Sequence, residues 1–199
     1  MGTNRSVGFF DAQFQKQADA GEFALNPFEL AALPFVSGRV LDLGCGLGNL
    51  SLEAARRGCE VTAVDASPAA IRRIAAAAAQ ENLRVSAAQS DISAYPIAGA
   101  YDTVIAIGLV MFFSRPEAER LLGEIRRSIA PRGRAIVNTL IEGTTWTEPF
   151  EPGHCCLLPE GALERAFDGW EILLARRDEF SAAGGRLKRF DTVVAQRPL

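Results

Sequence analysis

The stretch "RVLDLGCGLGN", residues 39–49, constrains the fold most, because three glycines crowd together directly after a short apolar run. Gly44, Gly46 and Gly48 follow a G-x-G-x-G spacing. Glycine adopts positive φ and lets a ligand lie against bare backbone. Open α/β sheets bind nucleotides at such a turn between a strand and a helix. A glycine triplet alone is a weak signal, so the rest of the chain has to supply the context.

Short apolar runs alternate with helical segments along the chain. The predicted strands are Val40–Leu43, Glu60–Val64, Val85–Ala88, Tyr101–Ile107 and Arg134–Leu140. The predicted helices are Leu50–Arg57 with Asn49 as its N-cap, Ala69–Glu81 after Ser67-Pro68, Pro116–Ile129 and Glu160–Phe167. The segments Trp170–Arg176 and Phe190–Ala195 could pair as a closing hairpin across residues 182–185.

This alternation is typical of a mostly parallel sheet that helices cover on both faces. We therefore predict an α/β, Rossmann-like fold: a seven-stranded, mostly parallel sheet with helices on both faces and an antiparallel C-terminal hairpin. A chain of 199 residues suits one domain with a substantial core. We expect that domain to span residues 1–199, with an N-terminal helical segment over 1–37 and the core over 38–199.

Composition argues against several classes of partner. The net charge of −3 gives no reason to expect nucleic acid, which usually binds a basic face. There is no run of 18 apolar residues and no N-terminal basic flank followed by an apolar segment, so we expect neither a membrane span nor a signal peptide. The four cysteines have neither metal-knuckle spacing nor disulfide-scaffold density, which favours the cytoplasm.

Acidic residues follow the predicted strands at the points where ligands of such a sheet bind. Asp42 ends the first strand, Asp65 follows the second and Asp91 follows the third. Asp65 lies 21 residues after Gly44, a distance at which a carboxylate accepts hydrogen bonds from a ribose diol. An ordinary N-cap or turn aspartate is the alternative interpretation of Asp65.

The glycine turn does not fit the two common phosphate-binding motifs. Asn49 stands where G-x-G-x-x-G requires its last glycine, and no Gly-Lys-Ser/Thr follows. A nucleoside ligand without a pyrophosphate fits better, and S-adenosylmethionine is the cofactor of that type. A nicotinamide-dependent oxidoreductase with an unusual fingerprint remains the alternative enzyme class.

Five motifs in order resemble those of class I S-adenosylmethionine-dependent methyltransferases. They are "VLDLGCGLGN", "VTAVDAS", "SDI", "YDTVIAIGLVMFF" and "APRGRAIV". The resemblance covers residues 40–140 and implies an enzyme that transfers a methyl group to a small-molecule acceptor. A non-catalytic module that senses S-adenosylmethionine through the same pocket is a third hypothesis.

The resemblance also implies a role for each residue of the cofactor site. The backbone around Gly44, Cys45, Gly46 and Asn49 would hold the amino-acid end, and Asp42 would orient its ammonium group. Asp65 would accept from the ribose hydroxyls. Adenine would lie between Ala66 and Ile92, with Asp91 and the Ile92 amide at its polar edge. Ile107, Gly108 and Leu109 would face the sulfonium.

A narrower resemblance is to the TehB type of tellurite-resistance methyltransferase, carried by "LLPEGALERAFDGWEIL" and by Arg189-Phe190. That family has a His-Arg pair in the first strand of the closing hairpin, whereas this chain has "RRDEFSA" there. The departure puts tellurite in doubt as the acceptor. The N-terminal "FFDAQF" and "ALNPF" are similar to thiopurine-type methyltransferases, whose N-terminal aromatics cover the cofactor.

Six residues are candidates for the acceptor pocket: Phe10, Phe14, Trp146, His154, Arg186 and Arg189. Ordinary helix packing is the alternative for the two phenylalanines, and a solvated edge strand is the alternative for the two arginines. We expect no metal at His154-Cys155-Cys156, because adjacent cysteines rarely chelate zinc without a second pair. With one histidine in the chain, a thiol, an amine or a chalcogen oxyanion suits better than an acceptor that needs a strong base. We therefore name no catalytic base.

Overall fold

The computed structural model describes residues 5–148, 150 and 155–199. Its helices are α1 (Arg5–Ala20), α2 (Pro27–Ala32), α3 (Asn49–Arg56), α4 (Pro68–Glu81), α5 (Arg115–Ser128) and α6 (Ala162–Ala166). Its strands are β1 (Arg39–Leu43), β2 (Glu60–Asp65), β3 (Val85–Gln89), β4 (Tyr101–Ile107), β5 (Ile129–Leu140), β6 (Glu171–Ala182) and β7 (Arg186–Gln196). None of the described helices is long and apolar enough to cross a bilayer.

The seven strands form one sheet in the order β3-β2-β1-β4-β5-β7-β6. Strands β1 to β5 are parallel to one another, whereas β7 runs antiparallel to both β5 and β6. The predicted mostly parallel sheet with an antiparallel C-terminal hairpin is therefore confirmed. The strand order reverses between β1 and β4, and open α/β sheets bind their ligands at such a switch point.

Alternate residues of the central strands pack on opposite faces of the sheet. Leu41 and Val104 face the cluster that includes the buried side of α5 and α6. Val40 and Ile105 face a second cluster that includes apolar residues of α2, α3 and α4. Burial on both faces explains why these strands are mostly apolar, as parallel strands are.

The start of α3 differs from the sequence prediction. Gly48 is its N-cap, in the left-handed conformation with φ 71°, and Asn49 is the first helical residue. The Asn49 side chain does not cap the helix, because its Nδ2 donates to the Ala24 carbonyl at 3.2 Å. The predicted N-cap was therefore wrong by one residue, since only glycine enters the left-handed region readily.

The last three strands are longer than predicted. Strand β5 begins at Ile129, before the predicted turn at residues 131–133, with a register irregularity against β4. The hairpin turn lies at residues 183–185 as expected, and pairing continues from Ala182 and Arg186 at the turn to Glu171 and Gln196. Tertiary pairing thus extends strands whose ends carry charged residues with low intrinsic strand preference.

Gly48 also allows α3 to pack closely against α4. A Cβ atom built on Gly48 would lie 2.4 Å from Cγ1 of the buried Ile74. Gly58, just beyond the other end of α3, also has positive φ, but a Cβ there would meet nothing within 4 Å. Substituting each glycine by alanine therefore distinguishes two contributions to the free energy of unfolding: backbone strain, which both positions share, and a steric clash, which only position 48 has.

We expect Gly48→Ala to lower the free energy of unfolding by about 2–4 kcal/mol, from left-handed strain and overpacking together. The control Gly58→Ala should lose only about 1–2 kcal/mol, because it carries the strain without the clash. Urea unfolding of both variants measures the difference. Equal losses would show that contact with Ile74 does not limit position 48.

Candidate functional site

A cavity of about 450 Å³ lies at the carboxyl ends of the central strands, under α1 and α2. Its lining falls into two chemical groups, one acidic and glycine-rich and the other aromatic. The acidic group comes from the ends of β1, β2 and β3 and from α2. The aromatic group comes from α1, α2, the segment after β4, the segment after β5 and β7. Cavities of this size hold small molecules.

The glycine turn after β1 is fastened to the end of β2. The amides of Gly44 and Cys45 donate to the Val64 carbonyl at 2.8 and 3.1 Å. The Gly46 amide donates to Oδ2 of Asp65 at 2.9 Å. The Ser67 amide donates to Oδ1 of the same carboxylate at 2.8 Å. Asp65 is therefore held in place by backbone on both oxygens while it lines the cavity.

Gly46 keeps the wall of the cavity bare. A Cβ atom on this residue, whose φ is 52°, would lie 3.1 Å from Cζ of Phe14 on α1. A side chain here would occupy the space between the glycine turn and the N-terminal helix. The missing side chain thus lets the Phe14 ring approach the backbone of the turn closely.

Asp42 is a buried carboxylate beside this turn, with only 4% of its surface exposed. Ser51 on α3 donates its hydroxyl to Oδ2 at 2.6 Å. Burial raises the pKa of Asp42 to about 7, and the nearby Glu29 and Asp65 add to the rise while the Ser51 hydrogen bond opposes it. A cation bound here would stabilise the ionised form.

Acidic side chains dominate this half of the cavity. Burial raises the pKa of Glu29 and of Asp65 above their ordinary values, with backbone hydrogen bonds acting in the opposite direction. The carboxylates in the lining are Glu22, Glu29, Asp42, Asp65 and Asp91. Such a wall favours a ligand that carries positive charge.

These residues fit S-adenosylmethionine, which carries an ammonium and a sulfonium. The carboxylates of Asp42 and Asp65 supply acceptors, and Gly44 and Gly46 leave backbone exposed in the lining. The buried Oδ1 of Asn49 also lines the cavity and has no hydrogen-bond partner. An unsatisfied buried acceptor is costly unless a ligand supplies a donor.

All twelve residues that the sequence assigned to the cofactor line this one cavity: Asp42, Gly44, Cys45, Gly46, Asn49, Asp65, Ala66, Asp91, Ile92, Ile107, Gly108 and Leu109. Their roles toward a cofactor remain predictions. Asp91 has a structural duty as well, because Oδ1 accepts from the Ser93 amide at 2.9 Å and from its hydroxyl at 2.8 Å. Burial raises the pKa of Cys45 well above its ordinary value, so its thiol stays protonated.

The acceptor-pocket candidates divide into three groups. Phe10, Phe14 and Trp146 line the cavity, and the Phe10 ring packs edge-on against Phe112 with ring centroids 5.2 Å apart. Arg186 and Arg189 are not part of the lining. His154 lies outside the described residues.

The two arginines are held elsewhere by their own ion pairs. Arg189 contacts Glu179 and Glu160, and Arg186 contacts Glu148 next to the hairpin turn. Successive residues of a strand point to opposite faces of the sheet, so Arg189 lies opposite Lys188 and Phe190, which do line the cavity. Among the described residues, Lys188 is the basic residue in that lining.

Lys188 lies against an aromatic wall. Its Nζ is 3.8 Å from the centroid of the Trp146 ring. Burial lowers the pKa of Lys188 from its ordinary value. Because Lys188 and Arg189 are adjacent in "RLKRF", a strand there places their side chains on opposite faces of the sheet. The sequence does not say which of the two faces meets the cavity.

Sequence reasoning also missed α2 and β5 as contributors. Asn26 and Glu29 form a capping box, in which the Asn26 side chain accepts from the amides of Phe28 and Glu29 and Glu29 accepts from the Asn26 amide. The motif "NPFE" is a readable helix start, and it places Phe28 and Glu29 in the lining. Asn138 on β5 gave no local signal.

The structure holds no arrangement suited to a metal within the residues it describes. No group of three or more His, Cys, Asp and Glu side chains lies close enough together there. All four cysteines are free thiols; Cys155 is partly buried and Cys156 is buried.

Residues 40–133 match the family described as a methyltransferase domain. This stretch of the chain therefore matches a methyltransferase domain, in the region where its motifs resemble those of class I methyltransferases. An uncharacterized protein of Mycobacterium tuberculosis is 33% identical over 147 residues, which cover 70% of this chain and 53% of that protein. The probable S-adenosyl-L-methionine-dependent methyltransferase TehB of Haemophilus influenzae is 27% identical over 168 residues, covering 80% of this chain and 57% of TehB.

Solved structures share the fold of this methyltransferase domain. The TehB crystal structure from Haemophilus influenzae superposes with a TM-score of 0.76 at 23% identity, covering 91% of this chain and 65% of TehB. The N-methyltransferase NodS from Bradyrhizobium japonicum WM9, in complex with S-adenosylhomocysteine, gives 0.73 at 16% identity, with 98% and 100% covered. The chain spans about half the length of the curated relatives it matches.

The methyltransferase domain should show a pH-dependent stability that originates at Asp42. The folded carboxyl has a pKa of about 7 against an ordinary value of 3.8, so folding binds a proton that the unfolded chain releases. The stability this gives is complete below about pH 4 and is lost as the pH rises through 7. Between pH 5 and 8 the unliganded wild type should lose about 2–3 kcal/mol more stability than Asp42→Asn.

Urea unfolding of both proteins at the two pH values measures this difference. Asn accepts the Ser51 hydroxyl as Asp does, so the variant keeps the local hydrogen bond. The same pH dependence in both proteins would mean that Asp42 is ionised in the folded state throughout this range.

Proposed function

We propose that this chain transfers a methyl group from S-adenosylmethionine to a small-molecule acceptor. The observation that supports this most directly is the single cavity that joins an acidic, glycine-walled half to an aromatic half. The first half suits a cationic nucleoside, and the second suits a mainly apolar acceptor. The methyltransferase family match and the fold of the solved relatives agree with this division.

The residues around the glycine turn would bind and orient the cofactor. Asp42 and Asn49 would accept from its ammonium group, and Asp65 would accept from its ribose. Since the Gly46 and Ser67 amides fix both oxygens of Asp65, the carboxylate would be positioned before the ligand arrives. When bound, S-adenosylmethionine supplies an electrophilic methyl group on a sulfonium.

The chain itself contributes mainly alignment and the exclusion of water. An in-line transfer needs the acceptor held on the axis of the methyl group, and correct positioning accounts for a large part of such a rate enhancement. The acceptor would lie among Phe10, Phe112 and Trp146. We propose a thiol, an amine or a chalcogen oxyanion, because these nucleophiles need no strong general base.

The TehB resemblance suggests tellurite as the acceptor, and the residues of the closing hairpin allow this suggestion to be assessed. Where that family has its His-Arg pair, this chain has the acids Asp178 and Glu179. These side chains form ion pairs within the hairpin or with neighbouring residues, including Arg176 with Asp178 and Glu179 with Arg189. The charges of β6, the first strand of the hairpin, are paired with their neighbours and offer little to an oxyanion, so we rank an organic acceptor above tellurite.

The first test separates the three functional hypotheses. Calorimetry should show binding of S-adenosylhomocysteine and none of NAD, and labelled methyl should pass from S-adenosylmethionine to one member of a panel of thiols, amines, hydroxyls and chalcogen oxyanions. Binding of NAD alone would indicate an oxidoreductase. Binding of S-adenosylhomocysteine without transfer to any class would indicate a sensing module.

The second test addresses Asp65. We expect Asp65→Ala to weaken the binding of S-adenosylhomocysteine by about 1.5–3 kcal/mol, because hydrogen bonds to a charged group are lost. The control Glu53→Gln removes a carboxylate of α3 that pairs with Arg56 and Arg57 outside the cavity. Calorimetry on folded protein, checked by circular dichroism, should show the loss in the first variant and none in the second.

We also propose that residues 1–37 act as a lid over the site. Helix α1 is fastened to α4 by Asp11, which accepts from the Ser67 hydroxyl at 2.5 Å and from the Ala69 amide at 3.3 Å. A carboxylate at the N-terminus of α4 is favoured by the helix dipole. This contact holds Phe10 and Phe14 over the cavity.

Asp11→Ala should therefore speed the release of S-adenosylhomocysteine and reduce turnover about five- to ten-fold, as the loss of about 1 kcal/mol of closing energy implies. Asp19→Ala is the matched control on the same helix, because Asp19 accepts only from Gln15 in its described hydrogen bonds. Stopped-flow release rates compare the two. Deleting residues 1–20 should keep the fold and greatly reduce turnover; full activity after deletion would rule out a lid.

A further inference from the structure

Asn138 carries an unsatisfied acceptor next to the cavity. It lies on β5, is fully buried and lines the cavity. Its Nδ2 donates to the Thr192 hydroxyl at 2.9 Å, whereas its Oδ1 has no hydrogen-bond partner. A buried carbonyl oxygen without a donor destabilises the fold unless a ligand supplies one.

Its place in the sheet is beside the position expected for the methyl group. Asn138 on β5 pairs with Ile107 on β4. The backbone carbonyl of Asn138 accepts from the Gly108 amide at 3.0 Å. Ile107 and Gly108 are the residues expected to face the sulfonium. A donor that meets Asn138 Oδ1 therefore lies next to the reacting atoms, provided that the proposed function is correct.

Strand β7 forms the part of the cavity wall that extends away from Asn138. Thr192 pairs with Asn138, and Phe190 and Lys188 follow at alternate positions on the same face of the strand. At about 3.4 Å per residue, the Cα atom of Lys188 lies about 14 Å along the strand from that of Thr192. Phe190 fills the interval and packs against Phe28 with ring centroids 4.7 Å apart.

Lys188 supplies a cation at the outer end of this row. It lines the cavity against Trp146. None of the ion pairs found among the described residues includes Lys188, whereas its neighbours Arg186 and Arg189 both have acidic partners. A partly buried ammonium group without a carboxylate is available to an anion on a ligand.

We propose that the acceptor is an elongated amine with an aminomethyl group on an aromatic ring and a carboxylate at the end opposite its nitrogen. Asn138 Oδ1 accepts a hydrogen bond from the amine N–H, Phe190 and Phe28 contact the ring, and Lys188 pairs with the carboxylate. A neutral amine keeps its lone pair while it donates to Asn138. A thiolate has no proton to donate, and an S–H group is a weak donor. Tellurite has neither a ring for Phe190 and Phe28 nor a carboxylate for Lys188.

The neutral amine is the reacting form, so a substrate that arrives as an ammonium ion first releases one proton to water, and the transfer itself then needs no base. The nitrogen lone pair forms the N–C bond as the C–S bond breaks, and the electron pair of that bond stays on sulfur. The nitrogen becomes a cationic ammonium that still donates to Asn138 Oδ1. Its surplus proton passes to water after release.

The experiment uses the full chain loaded with S-adenosylmethionine and four matched probes. They are 4-(aminomethyl)benzoate, its thiol and alcohol analogues with the same ring and carboxylate, and benzylamine, which lacks the carboxylate. Tellurite is the fifth. We expect methyl transfer to 4-(aminomethyl)benzoate with kcat/KM at least ten-fold above that of every other probe.

Two variants assign the two ends. Asn138→Leu should abolish the preference for the amine over the thiol, and Asn138→Asp, which keeps an acceptor oxygen, should retain most of it. Lys188→Met should abolish the preference for 4-(aminomethyl)benzoate over benzylamine by raising KM about ten-fold with little change in kcat. Arg186→Met, on the same strand but outside the lining, should leave both preferences unchanged.

The outcomes distinguish this inference from the proposed function. Transfer to the thiol or to tellurite in preference to the amine would overturn the inference and keep the methyltransferase. Failure of every probe to be methylated, and of 4-(aminomethyl)benzoate to bind the protein loaded with S-adenosylhomocysteine, would also overturn it. Failure of S-adenosylhomocysteine itself to bind would overturn the proposed function.

Discussion

The hydrogen bond from the Gly46 amide to Asp65 is the contact on which the site depends. It joins the turn after β1 to the residue that ends β2, so two neighbouring parallel strands terminate in one rigid unit. The amides of Gly44 and Cys45 strengthen this join by donating to Val64. Gly46 has no side chain, so the cavity wall at this residue consists of backbone alone. Gly48 follows in the left-handed conformation and is the N-cap of α3. A helix, a carboxylate and an exposed backbone are thus positioned together by a few short-range bonds.

The same unit places negative charge where the fold disfavours it. Asp42, Asp65 and Glu29 are close enough for the first to be affected by the other two, and burial raises the pKa of all three. Ser51 offsets a part of this cost at Asp42. The rest of this unfavourable free energy favours the binding of a cationic ligand, because a cation offsets both the desolvation of the carboxylates and the repulsion between them. The acidic half of the cavity is therefore less stable alone than with a cation, which is typical of preorganised functional sites.

The sequence predicted the parts of the molecule that depend on local rules. Strand ends carry the ligand-binding residues of a parallel sheet, and this rule alone predicts that Asp42, Asp65 and Asp91 meet at one crevice, as they do in the cavity. The errors came from contacts between distant segments. Arg189 was expected at the pocket because its charge is visible in the sequence, but the face that β7 turns toward the cavity is set by pairing with β5. Asn138 had no visible signal, since its role depends on Thr192 and on the end of β4.

This contrast follows the architecture of the two halves. The cofactor half is built from strand ends and turn backbone, so a few glycines and acids define it over a short length of chain. The aromatic half, which we propose for the acceptor, is built from side chains of α1, α2, β5, β7 and the segments after β4 and β5. The part from β7 joins the others because β7 inserts between β5 and β6. Substitutions along one face of β7 can alter what the pocket accepts without disturbing the turn at Gly46. Under the proposed function, the choice of acceptor would therefore depend on this face of the hairpin, where Lys188 and Phe190 line the cavity.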